Sequence, residues 1–174
     1  GFGVIPMPYH HPLRVAERVA MLDVVSNGRA EVGIGRGFSP QEYRAFGVDM
    51  SQSRALTAAG LDLLRQSFTR EPATLRDGSR LLSADLLPKP VQEAPPLWAA
   101  AVSPRSFEWA ARQGLGLLAG PFKPWFMTRA DIHVYRESWR ASGAPRIGMT
   151  VGIFCLRDGK RASALAAPAF EWFY

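Results

Sequence analysis

Residues 95–120, PPLWAAAVSPRSFEWAARQGLGLLAG, contain a strand, a helix and a second strand in direct succession. The segment 95–102 is a continuous apolar run, which indicates a strand buried on both faces. At 103–114, a serine at the N-cap position and a proline just inside it predict the start of a helix. The short apolar run 115–120 then predicts the next strand. Strands joined through a helix are usually parallel, so this stretch predicts a parallel α/β unit.

The same order of strand and helix is predicted along the whole chain. Strands are predicted at 1–8, 29–35, 95–102, 115–120 and 147–157, and helices at 13–25, 54–68, 103–114, 125–141 and 160–174. Residues 36–53 and 70–95 are predicted to be irregular connections, the second with a DGS turn signal at 77–79. Strands without alternation indicate a parallel sheet covered by helices on both faces.

Two architectures fit this order, an open doubly wound sheet and a (β/α) barrel. No GxGxxG motif opens a helix directly after the first strand, and GIGRG at 33–37 leads into a loop, so the barrel is favoured. An eight-stranded barrel usually takes ~250 residues, whereas this chain has 174. The expectation is therefore a single partial barrel domain over residues 1–174, with about five βα units.

The composition limits the class of protein. The chain is 47% hydrophobic and 21% charged, which predicts a globular fold. Its formal charge of +6 is spread over scattered arginines, which indicates a preference for anionic ligands such as phosphate and argues against nucleic-acid binding. No apolar run reaches the ~18 residues of a membrane span. The single cysteine, Cys155, excludes an internal disulfide and indicates the cytoplasm; it is expected in the core.

The strand predicted at 29–35 ends among glycines with one arginine, Arg36. In a parallel barrel, the C-terminal ends of the strands form the functional face. Glycines there allow a flat ligand to approach the backbone, and a lone guanidinium offers a rigid fork of donors to a phosphate or a carbonyl. The alternative is that the glycines relieve crowding in a narrow core, while Arg36 forms a salt bridge with Glu42 or Asp49.

A second candidate site lies in the first turn of the helix predicted at 103–114, which carries Ser103, Arg105 and Ser106. Unpaired backbone N–H groups, two hydroxyls and a cation make this turn suited to an anion. The alternative is an ordinary serine cap followed by proline. Both candidate sites fall on the same predicted face of the sheet, so a ligand with a planar ring and a phosphate would satisfy both.

Two longer stretches carry a resemblance to a known family: HPLRVAERVAMLDVVSNGRAEVGIGRGFSPQEYRAFGVDM at 11–50 and LLPKPVQEAPPLWAAAVSPRSFEWAARQGLGLL at 86–118. They resemble the luciferase-like flavin-dependent monooxygenases, the family of bacterial luciferase and the alkanesulfonate monooxygenases. The resemblance covers nearly all of the chain and is especially close to the luciferase α subunit at 33–56. It implies a (β/α)8 TIM barrel of the bacterial luciferase type. This chain would hold its third to seventh units and lack the first two strands and the last.

The resemblance also implies an activity, in which reduced FMN and O2 oxidise a small organic substrate. A flavin reductase would supply the reduced FMN, and the full-length protein would be a homodimer. The isolated chain would be inactive, and neither a metal nor a catalytic acid or base is assigned. Two alternatives stay open: a deazaflavin-dependent, hydride-transferring oxidoreductase of the same barrel family, and a non-catalytic subunit or truncated product.

Matched position by position, the resemblance implies residues for the phosphate end of FMN. Arg36 would face the phosphate, and Arg54 would be a second arginine on the flavin side. Ser103 and Ser106 would form the phosphate-binding turn. Luciferase has a glutamate where this chain has Val102, so that contact would be absent.

The resemblance further implies residues for the ring system of the flavin. Gly35 and Phe38 would lie beside the rings. Gly3 and Val4 would share a cis peptide bond against the isoalloxazine, an arrangement that costs about 3 to 4 kcal/mol without a proline.

Overall fold

The computed structural model describes residues 2–77 and 80–173. The chain forms two compact units, Gly1–Ala100 and Ala101–Tyr174. The strands and helices in chain order are β1 (Phe2–Pro6), α1 (Pro12–Val25), β2 (Val32–Gly35), α2 (Pro40–Ala45), α3 (Ser53–Phe68), β3 (Ala73–Asp77), β4 (Arg80–Ala84), β5 (Leu97–Ala101), α4 (Pro104–Arg112), β6 (Gly116–Ala119), α5 (Trp125–Ser138), β7 (Ile147–Met149) and α6 (Gly159–Phe173). Short 3-10 helices cover Met7–Tyr9 and Met50–Gln52. The single domain expected over residues 1–174 stays a prediction.

The first unit contains a parallel sheet in which β2 lies between β1 and β5. Ile34 of β2 is level with Ile5 on one side and with Ala99 on the other. All four residues of β2 are buried, as expected for a strand covered on both faces. In β5, Ala100 is exposed, so one face of that strand is open although the sequence predicts both to be buried. Alanine occurs at both buried and exposed positions. A run of alanines therefore does not reveal which side chains of the strand face the core and which face outward.

Helix α1 packs against its unit through one apolar stripe. The buried stripe consists of Val15, Ala16, Val19 and Ala20. The predicted end of this helix is confirmed, because Asn27 and Gly28 adopt φ angles of 54° and 74°. Glycine and asparagine tolerate this left-handed conformation better than other residues.

Asp23 is a fully buried carboxylate near the end of α1. Its oxygens accept hydrogen bonds from the backbone N–H of Gln92 at 2.8 Å, the side-chain amide of Gln92 at 2.7 Å and the backbone N–H of Ala30 at 3.1 Å. Burial alone would raise the pKa of Asp23, but the hydrogen bonds favour the charged form and bring the pKa below its usual value. Asp23 therefore joins the end of α1 to the start of β2 and to the segment that precedes β5.

The segment 36–53, predicted to be irregular, contains the helix α2 and a 3-10 helix. Ser39 caps α2 by accepting a hydrogen bond from the N–H of Glu42 at 3.4 Å. The sequence Ser-Pro-Gln-Glu at 39–42 is the pattern of a capped helix start, with proline in the first turn. The signal was therefore present, but the helix is only six residues long and has no apolar period of its own.

The segment 70–95, also predicted to be irregular, contains an antiparallel hairpin of β3 and β4. Its strands pair from Ala73 with Ala84 to Asp77 with Arg80. The segment was predicted to be irregular because its two strands are short, whereas an Asp-Gly pair between two short runs also favours a hairpin. Residues 78 and 79 of the DGS signal lie outside the described residues.

The second unit contains the parallel pair β6 and β7, with Leu117 level with Ile147 and Ala119 level with Met149. The strand predicted at 147–157 is therefore much shorter. Thr150 donates one more hydrogen bond, to Ala119 at 3.0 Å, and β6 ends there, so the residues that follow have no partner strand in this pair. Cys155 is exposed, and the expectation that it lies in the core is wrong for the same reason.

Among the residues described, no helix is both long enough and apolar enough to cross a bilayer.

Candidate functional site

Arg36 directly follows the buried Gly35 at the C-terminal end of β2. Its guanidinium is half-buried, and Nη1 donates a hydrogen bond to Oγ of Ser53 at 3.4 Å. Ser53 is the first residue of α3 and is itself buried. The guanidinium is thus held at the end of a central strand and against the start of a long helix.

The salt bridges suggested as an alternative role for Arg36 are not formed. Tyr9 donates a hydrogen bond to Glu42 at 3.4 Å, and Asp49 accepts from the N–H and the hydroxyl of Ser51 at 2.9 and 2.7 Å. None of the ion pairs among residues 2–77 and 80–173 includes Arg36. A guanidinium has five N–H donors, and the described residues give the guanidinium of Arg36 one hydrogen-bond partner, Ser53.

Aromatic side chains hold the loop that carries Arg36. The hydroxyl of Tyr43, a buried residue of α2, donates to the carbonyl of Arg36. The ring of Tyr9 meets Tyr43 edge-on and stacks on Phe46, in both cases with 4.9 Å between ring centroids. Gly37 has a φ of 76°, and a Cβ there would overlap the Tyr9 hydroxyl. The sequence reading missed Tyr9 and Tyr43, because their contact depends on α2.

Gly35 leaves room that a side chain would fill. A Cβ at Gly35 would lie 3.1 Å from Cγ2 of Val4 in β1 and 3.7 Å from Cβ of Ala100 in β5. The absence of a side chain therefore lets these neighbouring strands present a low, open surface, which suits a flat ligand.

The expected cis peptide bond between Gly3 and Val4 is not found. Within the described residues, the one cis peptide bond joins Leu87 to Pro88. The register of β1 on β2 instead shifts between Phe2 and Ile5, so this short stretch departs from regular pairing through a bulge. A bulge re-aims side chains with trans peptide bonds throughout, and a trans bond is about 3 to 4 kcal/mol more stable where no proline is involved.

The remaining expected residues of the first unit lie at the surface. Phe38 is 84% exposed. Arg54 is exposed and follows Ser53 in the first turn of α3. The structure therefore brings Arg36 to the beginning of the helix that carries Arg54, whereas Phe38 extends from the loop after β2.

In the second unit, the turn 102–106 is organised around Ser106. Its Oγ accepts hydrogen bonds from the backbone N–H groups of Val102 at 3.1 Å and Ser103 at 3.0 Å, and it donates to the carbonyl of Ser103 at 2.6 Å. The hydroxyl of Ser103 donates a hydrogen bond to the same oxygen at 3.2 Å. Ser106 thus shapes the turn, and a ligand would compete with Ser106 for the hydroxyl of Ser103.

Further donors of this turn belong to Arg105. Its guanidinium is exposed, and neither it nor the backbone N–H of Arg105 has a hydrogen-bond partner in the described part of the chain. Pro104 has no N–H group. An anion at the start of α4 would therefore meet Arg105 and the hydroxyl of Ser103.

Lys123, in the loop between β6 and α5, contacts this turn and was missed by the sequence reading. Its Nζ donates to the carbonyl of Val102 at 2.8 Å and forms an ion pair with Asp131 of α5. It also lies 5.2 Å from the ring centroid of Phe107. Burial lowers the pKa of the Lys123 ammonium. A lysine before a proline in a loop is typical of an exposed residue, so no local signal predicted this contact.

The residues around Lys123 also expose an apolar surface. The exposed apolar side chains are those of Phe122, Trp125, Phe126 and Met127, which are 46 to 72% exposed. A cluster of exposed apolar side chains of this kind marks a surface that contacts another molecule or another part of a protein.

Each of the two units, taken by itself, holds a guanidinium that suits a phosphate group. Arg36 and Arg105 are cations without a counter-ion among the residues described, and guanidinium groups match the geometry of phosphate oxygens. Gly35 supplies an open backbone next to one of them.

A family model described as luciferase-like monooxygenase matches residues 1–174. The alkanal monooxygenase alpha chain of Photorhabdus luminescens is 33% identical over 144 residues, which are 79% of this chain and 38% of that protein. The crystal structure of monooxygenase RslO1 from Streptomyces bottropensis matches with a TM-score of 0.83 and 29% identity, over 97% of this chain and 54% of that one. The matched part of this chain thus spans between 33% and 54% of the length of these relatives.

Two further structures share the fold at lower identity. The oxygenating constituent of 3,6-diketocamphane monooxygenase from Pseudomonas putida, in complex with FMN, matches with a TM-score of 0.81 and 20% identity over 98% of this chain and 54% of that one. An F420-dependent secondary alcohol dehydrogenase, in complex with an F420-acetone adduct, matches with a TM-score of 0.69 and 22% identity over 84% of this chain and 46% of that one. These likenesses confirm the predicted fold, a mostly parallel α/β chain that corresponds to part of a luciferase-like TIM barrel.

Proposed function

The chain belongs to the luciferase-like monooxygenase family, and from this membership we propose that it is the FMN-binding part of a monooxygenase that oxidises a small organic substrate. When it is bound and reduced, the flavin supplies the electrons that activate O2. The residues of this chain bind the flavin, orient it and keep its phosphate in place.

The proposal assigns the phosphate to the arginines and to the turn at the start of α4. Arg36 donates to the phosphate oxygens, with Arg54 as a second cation on the flavin side. Ser103 donates its hydroxyl to the phosphate, and Ser106 maintains the turn through its own hydrogen bonds. The ring system lies against Gly35, Phe38 and the bulged pair of Gly3 and Val4. No catalytic acid or base is assigned.

One observation carries this proposal, the guanidinium of Arg36 without a carboxylate partner in the described chain. A cation with so few protein partners, half-buried at the end of a central strand, loses hydration without gaining an ion pair. A bound phosphate would compensate for that loss. A purely structural arginine would be expected to pair with Glu42 of α2 or with Asp49 after that helix, and both have other partners.

A deazaflavin-dependent, hydride-transferring oxidoreductase is the second candidate. The likeness in fold to a dehydrogenase that binds F420 supports it. The two functions differ in chemistry, because a hydride transfer to or from a deazaflavin does not consume O2. A non-catalytic relative is the third possibility, although such a chain would have no chemical reason to keep Arg36 without a counter-ion.

The remaining parts of the proposal concern the complete gene product. It acts with a flavin reductase that supplies reduced FMN, it forms a homodimer, and it works in the cytoplasm. Apart from the flavin, its small-molecule partners are O2 and an organic substrate.

Titration of the complete gene product with FMN and with F420, followed by protein fluorescence, tests the cofactor. Arg36→Ala is expected to weaken FMN binding by about 10- to 100-fold, the value of one charge-assisted hydrogen-bonding group. Arg44→Ala is the matched control, because Arg44 is an exposed arginine of α2, and it should leave the affinity unchanged.

Oxygen uptake with chemically reduced FMN then separates the two enzymatic candidates. Consumption of O2 that depends on the protein supports the monooxygenase. Tight binding of F420 in preference to FMN, without any uptake of O2, would replace it with the deazaflavin enzyme. Equal FMN affinities of Arg36→Ala and Arg44→Ala would remove the role given to Arg36.

A further inference from the structure

Lys123 is a largely buried cation beside the turn 102–106. Its side chain is 15% exposed and that of its partner Asp131 is 8% exposed. A buried ion pair contributes little net stability in comparison with apolar side chains of similar size. Packing alone therefore gives no reason for a lysine at this position.

The hydrogen bonds of Lys123 and Ser106 act on the same peptide plane. Lys123 donates to the carbonyl of Val102 at 2.8 Å, and the N–H of Ser103 donates to Oγ of Ser106 at 3.0 Å. The carbonyl of Val102 and the N–H of Ser103 belong to one planar trans peptide unit and point in opposite directions. With both ends hydrogen-bonded, rotation of this peptide plane is restrained, and with it the backbone that carries the Ser103 side chain.

The position of Lys123 is itself well defined. Asp131 in α5 forms an ion pair with its ammonium, and the ring of Phe107 in α4 lies 5.2 Å from Nζ. The helix α4 begins within this turn, at Pro104, so Lys123 connects α5 to the N-terminal end of α4.

We propose that Lys123 is a positioning residue for the phosphate-binding turn, which it orders by fixing the Val102–Ser103 peptide so that the hydroxyl of Ser103 faces the flavin phosphate. This inference rests on the proposed function, because it takes FMN as the ligand of the turn. Lys123 does not touch the phosphate. Lys123 affects binding indirectly, through its hydrogen bond to the carbonyl of Val102. We therefore expect the effect only for ligands that carry a phosphate.

The test compares FMN with riboflavin, which has the same ring system but lacks the phosphate. The variant is Lys123→Met combined with Asp131→Leu, which removes the hydrogen bond to Val102 without leaving an unpaired charge in the interior. Binding is measured by fluorescence titration on the complete gene product, and thermal unfolding is recorded for every variant. In the double variant, FMN affinity should fall about tenfold, the value of one ordered hydrogen bond, and riboflavin affinity should stay the same.

Lys89→Met is the matched control, because Lys89 has similar chemistry in the other unit. Its Nζ lies 3.1 Å from the carboxylate of Asp85 and 3.3 Å from the carbonyl of Ser67. This variant should change the melting temperature without changing the ratio of FMN to riboflavin affinity.

The possible results separate the two proposals. A double variant that keeps the wild-type ratio, or loses affinity for both ligands by the same factor, overturns the role of Lys123 and leaves the flavin site in place. A wild-type protein that binds neither ligand overturns the proposed function together with this inference. A wild-type protein that prefers FMN and a double variant that has lost the preference support both.

Discussion

Replacement of Asp23 by asparagine should be among the most destabilising single-atom changes in the first unit. Asp23 is fully buried and accepts hydrogen bonds from two backbone N–H groups and from the side-chain amide of Gln92, at 2.7 to 3.1 Å. Asparagine turns one acceptor oxygen into an NH2 donor, which then faces at least one of these N–H groups. A buried donor left without its acceptor costs about 1 to 3 kcal/mol, and hydrogen bonds to a charge are at the upper end. The free energy of unfolding should therefore fall by about 3 kcal/mol.

Urea denaturation at neutral pH measures this loss. Asp62→Asn is the control, because Asp62 is an exposed residue of α3 and the change should stay within about 0.5 kcal/mol. If Asp23→Asn and Asp62→Asn lowered the free energy of unfolding equally, the buried hydrogen bonds would have no net value and the reasoning would be refuted.

The pH dependence gives an independent check of the same carboxylate. The pKa of Asp23 is lowered in the folded protein, so its stabilisation is fully present above the pKa of an unfolded aspartate, about 3.9. It is lost as the pH falls from there through the lower folded pKa. The stability difference between the wild type and Asp23→Asn should therefore shrink in acid, and a difference that grew in acid would contradict the assigned shift.

Two other positions give predictions about stability. In urea denaturation, Gly37→Ala should lower the free energy of unfolding by about 1 kcal/mol more than Gly47→Ala does. Both glycines have positive φ, but only the new Cβ at Gly37 meets the hydroxyl of Tyr9. Equal losses of stability would contradict that contact. Tyr135→Phe removes hydrogen bonds to the carbonyls of Leu115 and Arg146 at 2.8 and 3.2 Å and should cost about 1 to 2 kcal/mol. Burial raises the pKa of Tyr135 to about 12. Between about pH 10 and 12, the unfolded chain therefore loses this proton first and the wild type is destabilised, so the stability of Tyr135→Phe should fall less over that range.

The parts of the fold that the sequence predicted are those with a local signal. The helix α1 has an apolar stripe and an Asn-Gly stop, and α3 has a stripe of similar length, so both were predicted with nearly the observed ends. The strand–helix–strand order around 95–120 was confirmed by β5, α4 and β6. These features depend on residues close together in the chain.

The parts that were missed depend on partners that are distant in sequence. The strand β7 ends at Met149 because β6 has no more residues to pair with, and the apolar run that continues to Cys155 does not reveal this. Lys123 contacts Val102, which is 21 positions away. Tyr9 reaches the loop of Arg36 only because α2 places Tyr43 beside it.

The sequence predicted where the residues of the candidate site lie along the chain, but not their hydrogen-bond partners. Arg36 lies at the end of its strand as expected, and the ion pair considered as its alternative role is not formed, whereas its hydrogen bond to Ser53 was not predicted. Ser106 lies in the expected turn, although its hydroxyl is used within the turn. Hydrogen-bond partners of this kind follow from three-dimensional geometry, which composition and spacing do not encode.

The exposed position of Cys155 has a practical use. It is the single thiol among these 174 residues and lies at the surface after β7, in a stretch without regular secondary structure. A maleimide fluorophore would therefore attach at one known point without any cysteine having to be engineered or removed. None of the residues assigned to the flavin lies in that stretch. The dye would therefore report ligand-induced changes in the protein without occupying the proposed flavin site.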